Sequence, residues 1–372
     1  MTKVAIVGAG IVGAACALAC AQRGLSVTVY ERGGLVAGTT GSGEGNILVS
    51  DKAPGPELDL ALRSSELWRE WEPLLDRQVP GGIELERKGG LIVSRTGPVD
   101  PGPLGTALDA AGVRDLEPEI SPEVVAGAYF PQDMQVQPAR AAVAMLAAAR
   151  ELGATVKLRT PVTSIGELDA DAIVNATGAW AGQFDPAGRT PASSRERSSR
   201  VEPRRGFILV TEPLPVRIRH KVYSADYLDN VASDDAALQT STVVEGTPAG
   251  PVLIGATRER VGFDTAPNPL ALHRLAAGAI ALFPFLAGVR IIRSYHGFRP
   301  FSPDHLPLIG PDPVTPRLWH AHGHEGAGIG LAPATGDLIS ALLTGTGGTT
   351  RLQPALDATA FRPDRFTTEV AR

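Results

Sequence analysis

VAIVGAGIVGAACALACAQRGLSVTVYER, residues 4–32, reads as a buried strand at 4–7, a helix over about 12–23 and a second strand at 26–30. The period of its apolar residues changes from strand to helix and back, as a βαβ unit requires. Gly8, Gly10 and Gly13 fall at the first strand-to-helix turn in the pattern GxGxxG. The first glycine permits the tight turn, the second lets the backbone approach a pyrophosphate, and the third allows close packing of the helix. Glu31 closes the second strand 18 residues after Gly13. A carboxylate there accepts hydrogen bonds from ribose hydroxyls, so the segment predicts a dinucleotide site. Val4 to Ala21 carries no charge and imitates a signal core or membrane span, but the interrupting glycines argue against both. The expectation is a soluble, cytoplasmic chain without stable membrane insertion.

The rest of the 372 residues is long enough for two cores. A net charge of −5 and a pI near 5.9 argue against nucleic acid and for a small-molecule partner. Cys16 and Cys20 lie four apart on one helix and read as core thiols. A glycine-rich loop at 38–45 precedes a helix over about 57–75, and residues 89–95 and 127–138 look like sheet. Residues 138–165 read as a helix and two short strands, and 172–181 as a buried strand with another glycine turn. Residues 186–205, rich in Arg, Ser and Pro, suggest a solvated connection. Three strand-like runs and a helix near 268–282 suggest a second sheet. The segment 296–311, HGFRPFSPDHLPLIGP, reads as a tight loop leading into a short strand, followed by the strand LWHAH and a helix from about Pro333. His320, His322 and His324 alternate as metal ligands might, but no metal site is expected.

Five pieces in this order resemble the D-amino acid oxidase superfamily of flavoproteins. They are VAIVGAGIVGAACA, GTTGSGEGNI (38–47), DAIVNATGAWA (171–181), GFRPFSPDHLPLIGP (297–311) and GHEGAGIGLAPATGDLI (323–339). The similarity is strongest to the glycine oxidase, sarcosine oxidase, D-amino acid dehydrogenase and hydrogen cyanide synthase branches. It implies a mixed α/β and α+β fold: a Rossmann-like FAD-binding domain (1–80, 138–200 and 296–372) interleaved with a mainly antiparallel-sheet substrate domain (81–137 and 201–295). It also implies FAD held without a covalent bond, since neither cysteine lies near the flavin segments; a histidyl link stays open.

Carried over by position, the cofactor would meet Gly8, Gly10, Ile11, Val12, Gly13, Glu31 and Arg32, and then Thr39, Thr40, Gly45, Asn46 and Ile47 along the flavin. Val162 would meet the adenine, while Ala176, Thr177, Gly178 and Trp180 form a second turn beside it. Gly323, His324, Gly326, Ala327, Gly328 and Ile329 would lie under the ring, where the following helix points its positive end.

Arg299 matches the arginine that holds a substrate carboxylate, a task suited to a planar guanidinium that stays charged. A structural ion pair with Asp304 or Glu325 is the alternative. Tyr223, Tyr227 and Gln239 are candidates for the substrate pocket. The activity implied is oxidation of the Cα–N bond of a glycine-type, N-substituted or D-amino acid by hydride transfer to flavin N5. Water then splits the imine to oxo acid and amine, with peroxide formed where O2 is the acceptor. Glu325-Gly326-Ala327 after His324 departs from glycine oxidases toward the cyanide synthase and opine branch, so a dehydrogenase subunit passing electrons to a partner is the alternative. Homo-oligomerisation is left open.

Overall fold

The computed structural model describes residues 1–184, 201–225, 234–345 and 356–366. The opening segment folds as read: β1 (Lys3–Val7), a helix (Ile11–Gln22) and β2 (Ser26–Tyr30), with β1 and β2 parallel. Around them lies a six-stranded sheet. β8 (Thr155–Lys157) extends it beyond β2, and β9 (Ala172–Asn175), β16 (Leu318–His322) and β15 (Leu308–Pro311) extend it beyond β1. All its pairings are parallel except β15 with β16.

Helix Ile11–Gln22 is uncharged because helices Pro138–Glu151 and Gly328–Thr344 pack on it as well as the sheet. At Gly336 a Cβ would lie 2.5 Å from the Ala15 carbonyl oxygen, so the two helices touch through backbone. Cys16 and Cys20 are free thiols fully buried in this layer. Burial pushes the Cys20 thiol up to about 12, out of reactive range.

The second sheet has eight described strands in the order β14, β10, β13, β12, β11, β4, β6, β5. Their ranges are β4 (Gly90–Ser94), β5 (Thr106–Asp109), β6 (Ala126–Phe130), β10 (Glu202–Thr211), β11 (Lys221–Ser224), β12 (Gln239–Gly246), β13 (Val252–Arg258) and β14 (Ile291–Phe301). Only β11 with β4 is parallel. Helix Pro269–Leu282 covers one face, burying Ala271, Leu275, Ala279 and Leu282. A two-stranded piece, β3 (Asn46–Ile47) with β7 (Met134–Gln135), completes the sheets. This is the expected mixed α/β architecture, a Rossmann-like βαβ start beside a mainly antiparallel sheet. None of the described helices is long and apolar enough to cross a membrane.

Four local expectations change. Residues 296–301 are not a loop but the end of β14, paired with β10 from Glu202↔Phe301 to Thr211↔Ile291. The expected boundary at 296 therefore falls inside a strand. Its Pro300 faces Pro203, which is tolerable because β14 is an edge strand and the missing N–H interrupts no further ladder. Residues 202–205 belong to β10 rather than to a solvated connection, while 185–200 lie outside the described residues. Between helix Pro138–Glu151 and residue 165 only Thr155–Lys157 forms a strand. The last helix starts at Gly328, with Pro333 inside it. A proline in the second turn forfeits a single bond to the carbonyl four residues earlier, so the rule placing Pro at a helix start misleads here.

Candidate active site

The βαβ turn is held by contacts that only glycine allows. Gly8 has φ +109°, and a Cβ on it would lie 2.4 Å from the Ala176 carbonyl oxygen. A Cβ on Gly13 would lie 2.0 Å from the Gly8 carbonyl oxygen, so the third glycine packs the helix onto the turn instead of lining the site. The Glu31 carboxylate is locked by two backbone donors, Ala9 N–H at 2.9 Å and Gly33 N–H at 2.8 Å. Gly10 caps the helix without a side chain, and Thr40 Oγ1 accepts the Ile11 N–H at 3.0 Å.

From this turn a cavity of about 420 Å³ runs to the second sheet. Gly8, Gly10, Ile11, Val12, Glu31, Arg32, Val162, Ala176, Thr177, Gly178 and Trp180 line its first part. Arg32 lies over the Trp180 ring at 4.4 Å, and Phe263 stacks on Trp180 at 5.1 Å. Thr39, Thr40 and Asn46 line its middle, and His324, Gly326, Gly328 and Ile329 line the side where helix Gly328–Thr344 begins. Arg299, on β14, lines the far end.

Five expected contacts lie behind the cavity wall: Gly13, Gly45, Ile47, Gly323 and Ala327. Gly45 has φ +99° and would drive a Cβ to 1.9 Å from the Val136 carbonyl oxygen, so its role is to fit the backbone just after β7. Ile47 is 1% exposed in the core. Gly323 turns with φ +81°, and Ala327 is the N-cap of the last helix.

Two substrate-pocket candidates lie outside the described cavity lining. Tyr223 is fully buried, its hydroxyl hydrogen-bonded to Ser50 Oγ and 3.5 Å from Asp133 Oδ2. It is absent from the cavity lining. Gln239 accepts from Arg204 Nη2 at 2.8 Å and is also outside the lining. Tyr227 lies outside the described residues.

Arg299 is half-buried and reaches across β10 to donate from Nη1 to the Thr257 carbonyl of β13 at 2.8 Å. Gly206 makes room for this crossing: a Cβ there would lie 2.1 Å from Nη1. The two carboxylates weighed as its ion-pair partners each have another basic partner. Asp304 pairs with Arg365 at 2.6 Å, and Glu325 takes His305 at 2.9 Å and Arg204 at 3.7 Å.

The histidines form a tautomer chain. Asp312 accepts from His320 Nε2 at 2.8 Å, which leaves His320 Nδ1 to accept from His322 Nε2 at 2.9 Å. His324 Nε2 donates to Thr335 Oγ1 at 2.9 Å, since that hydroxyl gives its own proton to the Leu331 carbonyl. Burial holds His324 down at about 3 and His322 well below the usual range, so both are neutral near pH 7.

Sequence reasoning missed Glu44 and Arg258, which line the far part of the cavity at 7% and 5% exposure. Each had a signal: a lone carboxylate inside GSGEGN, and an arginine in step with Ala256 along β13. Asn46 is oriented between charges. Its Oδ1 accepts from Lys221 Nζ, itself paired with Glu245 at 2.6 Å, so its amide N–H2 faces Glu44 at 3.4 Å.

This lining fits FAD. It offers a carboxylate and a helix start at one end, small residues and short hydroxyls in the middle, and a second helix start beside the far chamber. Neither cysteine lines the cavity.

The comparisons agree with the geometry. The family model described as FAD dependent oxidoreductase, DAO, matches residues 3–342. The bifunctional protein ThiO/ThiG of Nostoc sp. is 29% identical over 92% of this chain, and the chain spans about half of that relative, 53%. Glycine oxidase of Geobacillus kaustophilus is 27% identical over 91% of this chain and 92% of its own length. Its solved structure superposes with a TM-score of 0.82, covering 98% of this chain and 99% of that one. L-proline dehydrogenase from P. horikoshii superposes equally, with a TM-score of 0.82 at 22% identity, covering 99% of this chain and 98% of that one. The chain belongs to the DAO family of FAD dependent oxidoreductases and is related to glycine oxidase.

Proposed function

We propose that the chain oxidises the Cα–N bond of a small carboxylated amine: a glycine-type, N-substituted glycine or D-amino acid. The observation that carries this is Arg299, a guanidinium opening into the same cavity as the GxGxxG turn and held in place from β13. Bound FAD would supply the two-electron oxidant. Arg299 would fix the substrate carboxylate through its planar fork, leaving Cα and the amine further along the chamber. The substrate loses a hydride from Cα and a proton from nitrogen, and water cleaves the imine to an oxo acid and an amine. Asn46, oriented by Lys221, lines the chamber with its amide N–H2 toward Glu44. Placement rather than a strong base does the work, because the neutral amine's lone pair drives the hydride out.

The test is anaerobic reduction of the holoprotein's flavin by glycine, sarcosine, N-alkylglycines, D-amino acids and D-proline, followed by admission of air. Bleaching by one of these and its loss in Arg299→Ala, with flavin retained, is the expected result. A flavin that no carboxylated amine reduces overturns the reading. Stoichiometric peroxide from the isolated chain would identify O2 as the acceptor, and its absence would favour an electron-accepting partner.

A further inference from the structure

We infer that Glu44 receives the substrate's nitrogen: its carboxylate binds the amine as a cation and then takes the proton that the nitrogen loses. This rests on the amine-oxidising reading above, which puts Arg299 on the substrate carboxylate and leaves that proton without an acceptor. Glu44 belongs to the 38–45 loop, lines the same cavity as Arg299 and is 7% exposed. Its two oxygens are unequal. Oε2 accepts from the Asn46 amide at 3.4 Å, and Lys221 Nζ, which donates to Asn46 Oδ1, keeps that amide turned toward it. Oε1 is buried and has no hydrogen-bond partner among the described residues. Gln135 Nε2, the other amide beside Glu44, donates to its backbone carbonyl at 3.4 Å.

An acceptor shut away from water without a donor is destabilising, and a carboxylate more so than a neutral group. On a cavity wall the missing donor is one that the cavity's occupant brings. A donor that carries charge suits a buried carboxylate best, which selects an ammonium over a hydroxyl. The backbone is shaped to hold Glu44 there: a Cβ on Gly255 of β13 would lie 1.9 Å from Oε1 and 2.7 Å from Cδ. Arg299 is moored to the same strand two residues on, through Nη1 and the Thr257 carbonyl. One small α-amino acid can therefore meet the guanidinium with its carboxylate and Glu44 with its nitrogen. When an ammonium N–H bond breaks toward Oε1, the electron pair stays on nitrogen and Glu44 becomes the neutral acid. That pair forms the C=N bond as hydride leaves Cα for the bound FAD, so charge and electrons balance.

The experiment takes the holoprotein and sets the amines of the screen above beside three acids that lack the amine: glycolate, methoxyacetate and tetrahydrofuran-2-carboxylate. Stopped-flow anaerobic reduction gives an affinity and a limiting rate for each amine that bleaches the flavin. The shift in flavin absorbance gives the affinity of each amine-less acid. Glu44→Gln should weaken the amines by about ten- to a hundred-fold, slow their limiting rate by about ten-fold or more, and leave the amine-less acids within about two-fold. Arg299→Ala should weaken both classes. Amines and amine-less acids affected equally by Glu44→Gln, or an unchanged limiting rate, overturns the inference while the amine-oxidase reading stands. Absence of bleaching by every amine overturns both. If Glu44→Gln does not hold FAD, Glu44→Asp, which keeps the charge on a shorter arm, decides: it should retain FAD and weaken the amines alone.

Discussion

Gly206 lies directly beneath the Arg299 guanidinium, so near that a Cβ would stand 2.1 Å from Nη1 and 3.0 Å from Cζ. The crossing from β14 to the Thr257 carbonyl depends on that missing side chain. Gly206→Ala is expected to tilt the guanidinium off its bond and raise KM for the carboxylated substrate by about ten- to a hundred-fold, the weight of a lost charged hydrogen bond. Flavin content should stay full, because Gly206 is remote from the Gly8 turn along the cavity. An unchanged KM would show that Arg299 needs neither the crossing nor its bond to β13.

The two ends of the site were unequally legible. Gly8, Gly13 and Glu31 could be read because their roles are local: a positive φ, a backbone contact and the end of the adjoining strand all lie within one βαβ unit. Arg299 could be placed only by resemblance, and its loop-like prolines concealed an edge strand. Arg258, Glu44 and Gly206 were invisible for a different reason. Their meaning arises where β13, the 38–45 loop and β10 meet across more than 200 residues of chain, and no spacing in the sequence encodes that meeting. Tyr223 is a similar case, since an aromatic in a strand does not announce whether it lines a cavity or packs in the core.

Glu31 makes a second test. Its two oxygens each accept a backbone N–H, at 2.9 and 2.8 Å, so the carboxylate is set before any ligand arrives. Glu31→Gln replaces one acceptor by a donor that must face Ala9 N–H or Gly33 N–H. FAD affinity of the apoprotein, followed by quenching of flavin fluorescence, should fall by about ten-fold or more. An unaltered affinity would remove Glu31 from the cofactor site.

Tyr223 gives a prediction of the opposite kind. Its hydroxyl shares Ser50 Oγ with Asp133, whose carboxyl is also held by the Val49 N–H at 2.8 Å. Burial pushes Asp133 up to about 6, although the Ser50 bond opposes it. Tyr223→Phe should therefore cost about 1–2 kcal/mol of stability and leave KM for the substrate unchanged. A specific rise in KM with normal thermal stability would return Tyr223 to the pocket.

His324 supplies the pH test. Its ring is 2% exposed, donates to Thr335 and is held by burial at about 3, against an ordinary value of 6.5. The unfolded chain takes up a proton at this residue below 6.5 and the folded chain does not, so stability is lost as the pH falls from 6.5 toward 3. At pH 5 the loss from this one group is about 2 kcal/mol. His322, also held down by burial, adds in the same direction. Asp133 works against both: its raised carboxyl is protonated earlier in the folded chain, so it favours folding as the pH drops from 6 to 3.8. The informative quantity is consequently the difference between wild type and His324→Gln, whose amide can still donate to Thr335. Denaturant midpoints at pH 7.5 and 5.0 should show the variant losing about 2 kcal/mol less than wild type across that interval; equal losses would mean that the folded protein admits a proton at His324.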